Sequence, residues 1–202
     1  MTSKPNIAVI GAGIGGLAVS SCLRKVGIET TIYEQAPRFT RIGAGIQMTP
    51  NAMRVLNGIG IGEKIAARAF EPPHFRSRDF DTGNLTNEHM LGPDTFKKYG
   101  VRYFLMHRAD LHEALYSAVQ DDTIRYGHKL TGMDQLDGGV TLEFENRATA
   151  AHDAVIASDG VHSPVRSWML GSEGAQFTQR LAYRMAFPAS LMNGYQLMDD
   201  CA

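Results

Sequence analysis

A chain of 202 residues with 44% hydrophobic side chains carries enough apolar surface for a packed core, which excludes wholesale disorder and allows one large domain or one domain with part of another. A formal net charge of −1 removes any electrostatic reason to expect nucleic acid or an anionic membrane as partner. The two cysteines, Cys22 and Cys201, lie in no metal-like spacing, no apolar run reaches membrane-spanning length and the amino terminus lacks a secretory pattern, so a reducing cytoplasm is the expected compartment.

The run Asn6-Ile-Ala-Val-Ile-Gly-Ala-Gly-Ile-Gly-Gly16 predicts a buried parallel strand over Ile7–Ile10 that passes at once into a helix from Gly13 to about Lys25. Gly11, Gly13 and Gly16 have the G-x-G-x-x-G spacing. In that pattern the first glycine makes the tight turn, the second lets backbone approach a pyrophosphate, and the third lets the helix pack close on the strand. The helix N-terminus presents its N–H groups and positive dipole end to the phosphates. Gly11, Ala12, Gly13, Ile14, Gly15 and Gly16 are therefore the candidate diphosphate contacts. Ile14, Leu17, Ala18, Ser21 and Cys22 form a small-to-apolar stripe expected to lie on a sheet, with Cys22 a buried free thiol. A second strand, Thr31–Glu34, ends in an acid 23 residues past Gly11 (34 − 11). That is close to the roughly 20 expected of a ribose hydroxyl acceptor, so Glu34, with Gln35 beside it, is the candidate for that role.

Arg41-Ile-Gly-Ala-Gly-Ile-Gln47 is glycine-rich and predicts a loop. Pro50–Leu56 and Ile61–Ala67 read as two short helices broken by Gly58 and Gly60. Phe75–Phe80 alternates and meets Asp81-Thr-Gly-Asn84, which predicts an antiparallel hairpin. Val101–Met106 reads as a strand and Asp110–Val119 as a helix. Ile124–Met133 and Val140–Phe144 read as antiparallel strands joined through Asp137-Gly-Gly139. Ala154–Ala157 is a short buried strand leading into Ser158-Asp-Gly160, and Leu181–Phe187 is a last strand. A nucleotide-binding β–α–β unit, interrupted by antiparallel strands and then resumed at Ala154, predicts an α/β fold with two interleaved parts.

Three segments taken together carry a family resemblance: the glycine turn with Glu34, His107-Arg-Ala-Asp-Leu111, and Ser158-Asp-Gly-Val-His-Ser-Pro-Val-Arg166. In this combination the chain resembles the class A FAD-dependent aromatic hydroxylases, the single-component flavoprotein monooxygenases. The segments Arg41–Asn51 and Ser77-Arg-Asp-Phe-Asp-Thr-Gly83 are similar to the branch of salicylate hydroxylase and 6-hydroxynicotinate 3-monooxygenase. The resemblance implies a Rossmann-like, glutathione-reductase-type FAD-binding domain over 1–74 and 101–178, interleaved with part of an antiparallel substrate-domain sheet over 75–100 and 179–202. It implies hydroxylation of a phenolic or hydroxypyridine-type aromatic, with FAD as cofactor, NAD(P)H as co-substrate and O2, through a flavin C4a-hydroperoxide.

The resemblance also assigns roles. Arg108 contacts FAD; the alternative is a surface arginine paired with Asp110 or Glu113. Asp159 and Gly160 serve FAD and the nicotinamide nucleotide, although the family commonly reads Gly-Ala-Asp-Gly where Ala157-Ser158 stand here. Gly43, Gly45 and their neighbours lie against the isoalloxazine. Arg41 is either a ring- or phosphate-facing cation or a solvated loop residue. Arg166 faces a pyrophosphate or solvent and His107 the adenosine side, while His162 reads as a helix-start residue rather than a base. Gln47 is a candidate substrate contact, at a position where the resemblance to 6-hydroxynicotinate 3-monooxygenase implies a histidine near the substrate. A glutamine can hydrogen-bond a substrate but cannot act as a base near neutral pH. His74, His89 and His128 show no metal-ligand spacing, and Trp168 is expected to pack its helix.

The family's second FAD motif, a Gly-Asp followed by small residues and His-Pro, has no counterpart here. The expectation is the N-terminal half of a hydroxylase, with exposed strand edges and apolar surface, partnered by a second copy or by a complementing C-terminal half. The competing expectations are a catalytically inactive FAD-binding fragment and a NAD-binding Rossmann module.

Overall fold

A computed structural model describes residues 4–41, 43–171, 174, 176–181 and 187–192. In chain order its elements are β1 (Ile7–Ile10), α1 (Ile14–Lys25), β2 (Thr30–Tyr33), β3 (Gly45–Met48), α2 (Pro50–Ile59), α3 (Gly62–Ala66), β4 (His74–Arg78), β5 (Leu85–Met90), α4 (Pro93–Tyr99), β6 (Phe104–His107), α5 (Arg108–Tyr116), β7 (Ile124–Arg125), β8 (Leu130–Leu136), β9 (Gly139–Phe144), β10 (Thr149–His152), β11 (Ala154–Ala157) and α6 (Pro164–Leu170). The fold is α/β. Two compact units divide the chain: Met1–Arg41 with His112–Arg180, and Ile42–Leu111 with Leu181–Ala202.

The first unit is built on a parallel sheet in the order β11-β1-β2-β7. A strand buried on both faces must be apolar throughout, and Ala8, Val9 and Ile10 in β1 meet that demand. The two-residue period of the strand then divides its contacts. Val9 points toward Gly16 of α1, whereas Ala8 and Ile10 join Tyr33, Met133, Leu142, Phe144 and Val165 in one apolar cluster. Met133, Leu142 and Phe144 come from a second, antiparallel sheet in the order β10-β9-β8. Helix α1 buries Gly16, Leu17, Ser20 and Ser21, and Arg24 and Lys25 in its last turn complement the dipole. Cys22 is exposed, contrary to the sequence expectation. At 100° per residue the buried stripe centres on residues 17, 20 and 21, which turns position 22 to the helix flank.

Further local differences have identifiable causes. The stretch expected as one strand over Ile124–Met133 is two. Gly127, at φ 67°, interrupts the strand after β7, so Ile124–Arg125 adds to the parallel sheet and only Leu130–Leu136 pairs with β9. Strand β10 was not anticipated, because Thr-Ala-Ala-His lacks the branched and aromatic residues that announce a strand. Trp168, expected to pack its helix, is half exposed, and Met169 and Leu170 beside it are exposed as well.

In the second unit the loop expected over residues 41–47 ends in β3, which pairs antiparallel with β6 from Gly45↔His107 to Met48↔Phe104. Helix α2 opens with Pro50 at its first turn and closes at Gly60 in the left-handed region. It buries Met53, Leu56 and Ile59, and α3 adds Ile65. The expected hairpin is present as β4 and β5. Helix α4 was not anticipated. The expected strand Leu181–Phe187 falls on residues 182–186, outside the described residues.

One polar network ties the two sheets of the first unit. The Tyr33 hydroxyl lies 2.9 Å from His152 Nε2, and His152 Nδ1 lies 3.0 Å from Asn6 Oδ1. An amide oxygen only accepts, so Nδ1 carries the proton of the neutral ring and Nε2 accepts from Tyr33. Burial pushes the His152 pKa below its ordinary 6.5, outweighing the Asp153 carboxylate and the Asn6 hydrogen bond, which act the other way. Below pH 6.5 the unfolded chain therefore binds a proton that the folded one resists. Folding stability is expected to be fully supported above that pH and to decline as the pH falls through the folded-state pKa. Tyr33→Phe is expected to cost about 1–3 kcal/mol by leaving Nε2 unpaired. Urea unfolding across pH checks both, and a curve unchanged from about pH 8 to about pH 5 would contradict the first.

Candidate functional site

At the carboxyl edge of the parallel sheet the chain leaves β1 and must enter α1 within three residues. Gly11 sits at φ 98°, and a Cβ there would lie 2.6 Å from the Ser158 carbonyl oxygen at the end of β11. Both conditions admit only glycine. A Cβ on Gly16 would lie 1.9 Å from the Gly11 oxygen, so the third glycine is what lets the helix close on the turn. Gly13 differs: a Cβ there would meet nothing within 4 Å. It caps α1 without any side-chain hydrogen bond, and the first turn of the helix holds no acid. The start of α1 thus presents N–H groups beside an open floor, a geometry that suits a diphosphate.

Glu34 follows β2 directly. Its Oε2 accepts from the Ala12 N–H at 2.8 Å and its Oε1 from the Ala36 N–H at 2.8 Å. A carboxylate has about four acceptor sites, so Glu34 braces the turn and still has capacity for a ribose hydroxyl.

Gly11, Gly13, Glu34, Gln35, Asp159 and Gly160, all singled out in the sequence, line one cleft of the first unit of about 480 Å³. Ser158 also lines it, as do Tyr33, whose pKa is raised by burial, and His128, Lys129 and His162. His128 and Lys129 carry no sequence signal, because they follow the strand break at Gly127. His128 Nδ1 donates to the Tyr126 carbonyl at 2.8 Å and Lys129 pairs with Glu145 at 2.8 Å. Asp159 Oδ2 accepts from the Val165 N–H at 3.2 Å and Ser163 Oγ from the Arg166 N–H at 2.9 Å, so the two side chains organise the start of α6. The Arg166 guanidinium donates to the Val161 carbonyl at 3.1 Å. Arg41 forms an ion pair with Glu113 at 2.5 Å.

Three sequence candidates lie in the second unit. Gly45 and Gln47 are on β3, with Gln47 exposed. Arg108 opens α5, donates its N–H to the Ala44 carbonyl at 2.8 Å, and packs so close to Gly43 that a Cβ there would lie 2.7 Å from its own Cβ. Asp110 pairs with Arg68 at 3.8 Å. His107 Nδ1 accepts from the Ala109 N–H at 3.2 Å, a capping contact. Gln47 lines a second cleft with Phe75, His89, Tyr99 and Tyr103. Among the described residues no helix is long and apolar enough to cross a membrane, and no group of three or more His, Cys, Asp or Glu side chains is placed to hold a metal ion.

Residues 4–184 match the family described as FAD binding domain. The 6-hydroxynicotinate 3-monooxygenase of Pseudomonas fluorescens is 38% identical over 188 residues, covering 93% of this chain and 49% of that protein. A 3-amino-4-hydroxybenzoate 2-monooxygenase of Streptomyces platensis is 36% identical over 170 residues, covering 84% of this chain and 43% of its own length. Among solved structures, Klebsiella pneumoniae HpxO complexed with FAD and uric acid superimposes with a TM-score of 0.72 at 29% identity, over 81% of this chain and 41% of that one. The chain spans about half the length of the curated relatives it matches.

The steric contrast between the glycines yields a direct test. Gly16→Ala is expected to destabilise the chain by about 3 kcal/mol or more, because backbone must move to admit the methyl group. Gly13→Ala should stay within about 1 kcal/mol of the parent, since its Cβ enters open space. Chemical denaturation of the two variants measures the difference.

Proposed function

This chain belongs to the FAD binding domain family, and on that premise we propose that it holds the cofactor of an FAD-dependent monooxygenase that hydroxylates a phenolic or hydroxypyridine-type aromatic with NAD(P)H and O2. The observation that carries the reading is the uncapped start of α1 over the open floor at Gly13, with the Glu34 carboxylate one strand away. The names of the relatives support the substrate class: they act on hydroxylated aromatic or heterocyclic rings. In this reading the first unit's parallel sheet is the Rossmann-like core of a glutathione-reductase-type FAD domain, and 75–100 with 179–202 belong to a partial substrate domain.

Each residue then has a task. The N–H groups of Gly13, Ile14 and Gly15 hold the diphosphate, and Gly11, Ala12 and Gly16 shape the turn that aims them. Glu34 takes the ribose hydroxyls on its remaining acceptor sites, next to Gln35. Asp159 and Gly160 receive the ribityl chain, and Arg108 and Arg41 supply cations along the cofactor. Gly45 offers backbone free of side chain to the flat ring. FAD, when bound, supplies hydride acceptance from NAD(P)H and the activation of O2. Gln47 orients the substrate by hydrogen bonding, and the aromatic walls beside it, Phe75, Tyr99 and Tyr103, suit a planar ring. Since an amide cannot remove a proton near neutral pH, deprotonation of the ring hydroxyl falls to another group.

A chain spanning half of its relatives also admits the reading of a fragment that binds FAD without turnover. The visible absorption spectrum of the purified chain, desalted from excess FAD, separates the cases. Retained flavin bands with NAD(P)H oxidation stimulated by a phenolic or hydroxypyridine-type aromatic are the expected result, and retained bands without oxidation mark the inactive fragment. A colourless chain that binds NAD would overturn both. Glu34→Ala is expected to weaken FAD binding by about tenfold or more, measured by quenching of flavin fluorescence.

A further inference from the structure

Ala12 lies inside the glycine turn and is only 7% exposed, so its backbone polar groups need partners that neither β1 nor α1 provides. Its N–H is taken by Glu34. Its carbonyl oxygen lies 2.7 Å from Nε2 of His112, a residue 100 positions away on α5. A carbonyl only accepts, so Nε2 carries the proton and donates.

We propose that His112 is the positioning residue of the dinucleotide-binding turn: by holding the Ala12 carbonyl it aims the Gly13 N–H into the cleft where the diphosphate sits. The proposal rests on the reading of that cleft as the FAD site. The reasoning is geometric. In a planar trans peptide the C=O and the following N–H point in opposite directions. Anchoring the Ala12 oxygen on His112 therefore turns the Gly13 N–H away from α5, and Gly13 lines the cleft. Glycine offers little resistance to rotation of the peptide that precedes it, so the orientation needs an external hold. The ring that supplies it is itself fixed. Phe39, on the segment after β2, packs against His112 with centroids 4.8 Å apart and against Tyr116 at 4.7 Å, both rings tilted. One residue further along α5, Glu113 pairs with Arg41 at the end of that segment. The segment and the helix clamp the imidazole between them.

Two substitutions separate positioning from bulk. His112→Leu keeps an apolar side chain against Phe39 and removes the donor, whereas His112→Gln keeps an N–H on a side chain of similar reach. Titration of each 202-residue variant with FAD, followed by flavin fluorescence, is expected to show about tenfold or greater weakening for His112→Leu and recovery to within about threefold for His112→Gln. Equal affinity of His112→Leu and the parent overturns the proposal, and so does equal weakening in both variants. The parent chain gives a second readout that needs neither a variant nor FAD, the nitrogen NMR signals of the His112 ring. A proton on Nε2 supports the clamp and a proton on Nδ1 overturns it. If the parent binds no FAD, the functional reading fails, and the clamp stands or falls on the ring signal.

Discussion

Strand β1 ends at Ile10 flanked by two parallel neighbours, and the chain must leave the sheet without striking either. The carbonyl that closes β11 stands in the way: from Gly11 it is nearer than a methyl group could be. That close approach fixes Gly11 in a conformation other residues resist and sets the direction in which α1 departs. It also forces Gly16 against the turn, so the helix begins with its N–H groups facing the carboxyl edge of the sheet. Packing excludes side chains at Gly11 and Gly16, and between them Gly13 leaves open backbone of the kind that suits a phosphate. The close contacts at Gly11 and Gly16 fix the turn, and the open floor at Gly13 lies within it.

The polar groups around the corner follow a common plan. Tyr33, the last residue of β2, donates toward His152 on β10, and the next residue, Glu34, reaches back under the turn. The end of β2 is thus held from the antiparallel sheet on one side and tied to the glycine turn on the other. Neither contact is an ion pair; the Tyr33–His152 contact is buried and the Glu34–Ala12 contact is part-buried at the edge of the cleft. In such surroundings a hydrogen bond gains less by forming than it loses by being broken, so the arrangement defines a geometry more than it adds stability.

What the sequence disclosed and what it hid divide along a physical line. The turn was legible because its requirements are local: three glycines and an acid at set spacings express steric demands within a few dozen residues. The parallel strands over Ile7–Ile10 and Ala154–Ala157 were legible through their unbroken apolar character. The split at Gly127 was hidden, because apolar residues continue on both sides and nothing in a single sequence distinguishes a left-handed glycine from a strand glycine. The flank position of Cys22 was lost to one step of helical phase. β3 was obscured by the glycines that make it useful. His112 left no trace at all, since its partner lies a hundred residues away and only the folded topology brings them together.

The central strand of the parallel sheet meets its two neighbours at very different times. β2 follows β1 after one helix, whereas Ile7 pairs with Ala154 only after the Ile42–Leu111 part of the second unit has been made. At ordinary rates of synthesis of 5–20 residues per second, roughly 7–30 s separate the two strands as they leave the ribosome. During that interval one edge of β1 has no strand to receive its hydrogen bonds, and its Ile-Ala-Val-Ile run is the kind of segment that recruits strands from other chains. Insertion of most of a second unit between two strands of one sheet therefore transfers part of the burden of correct folding from the sequence to the order of its synthesis, and the long loop closure makes β11 the last piece of the sheet to arrive.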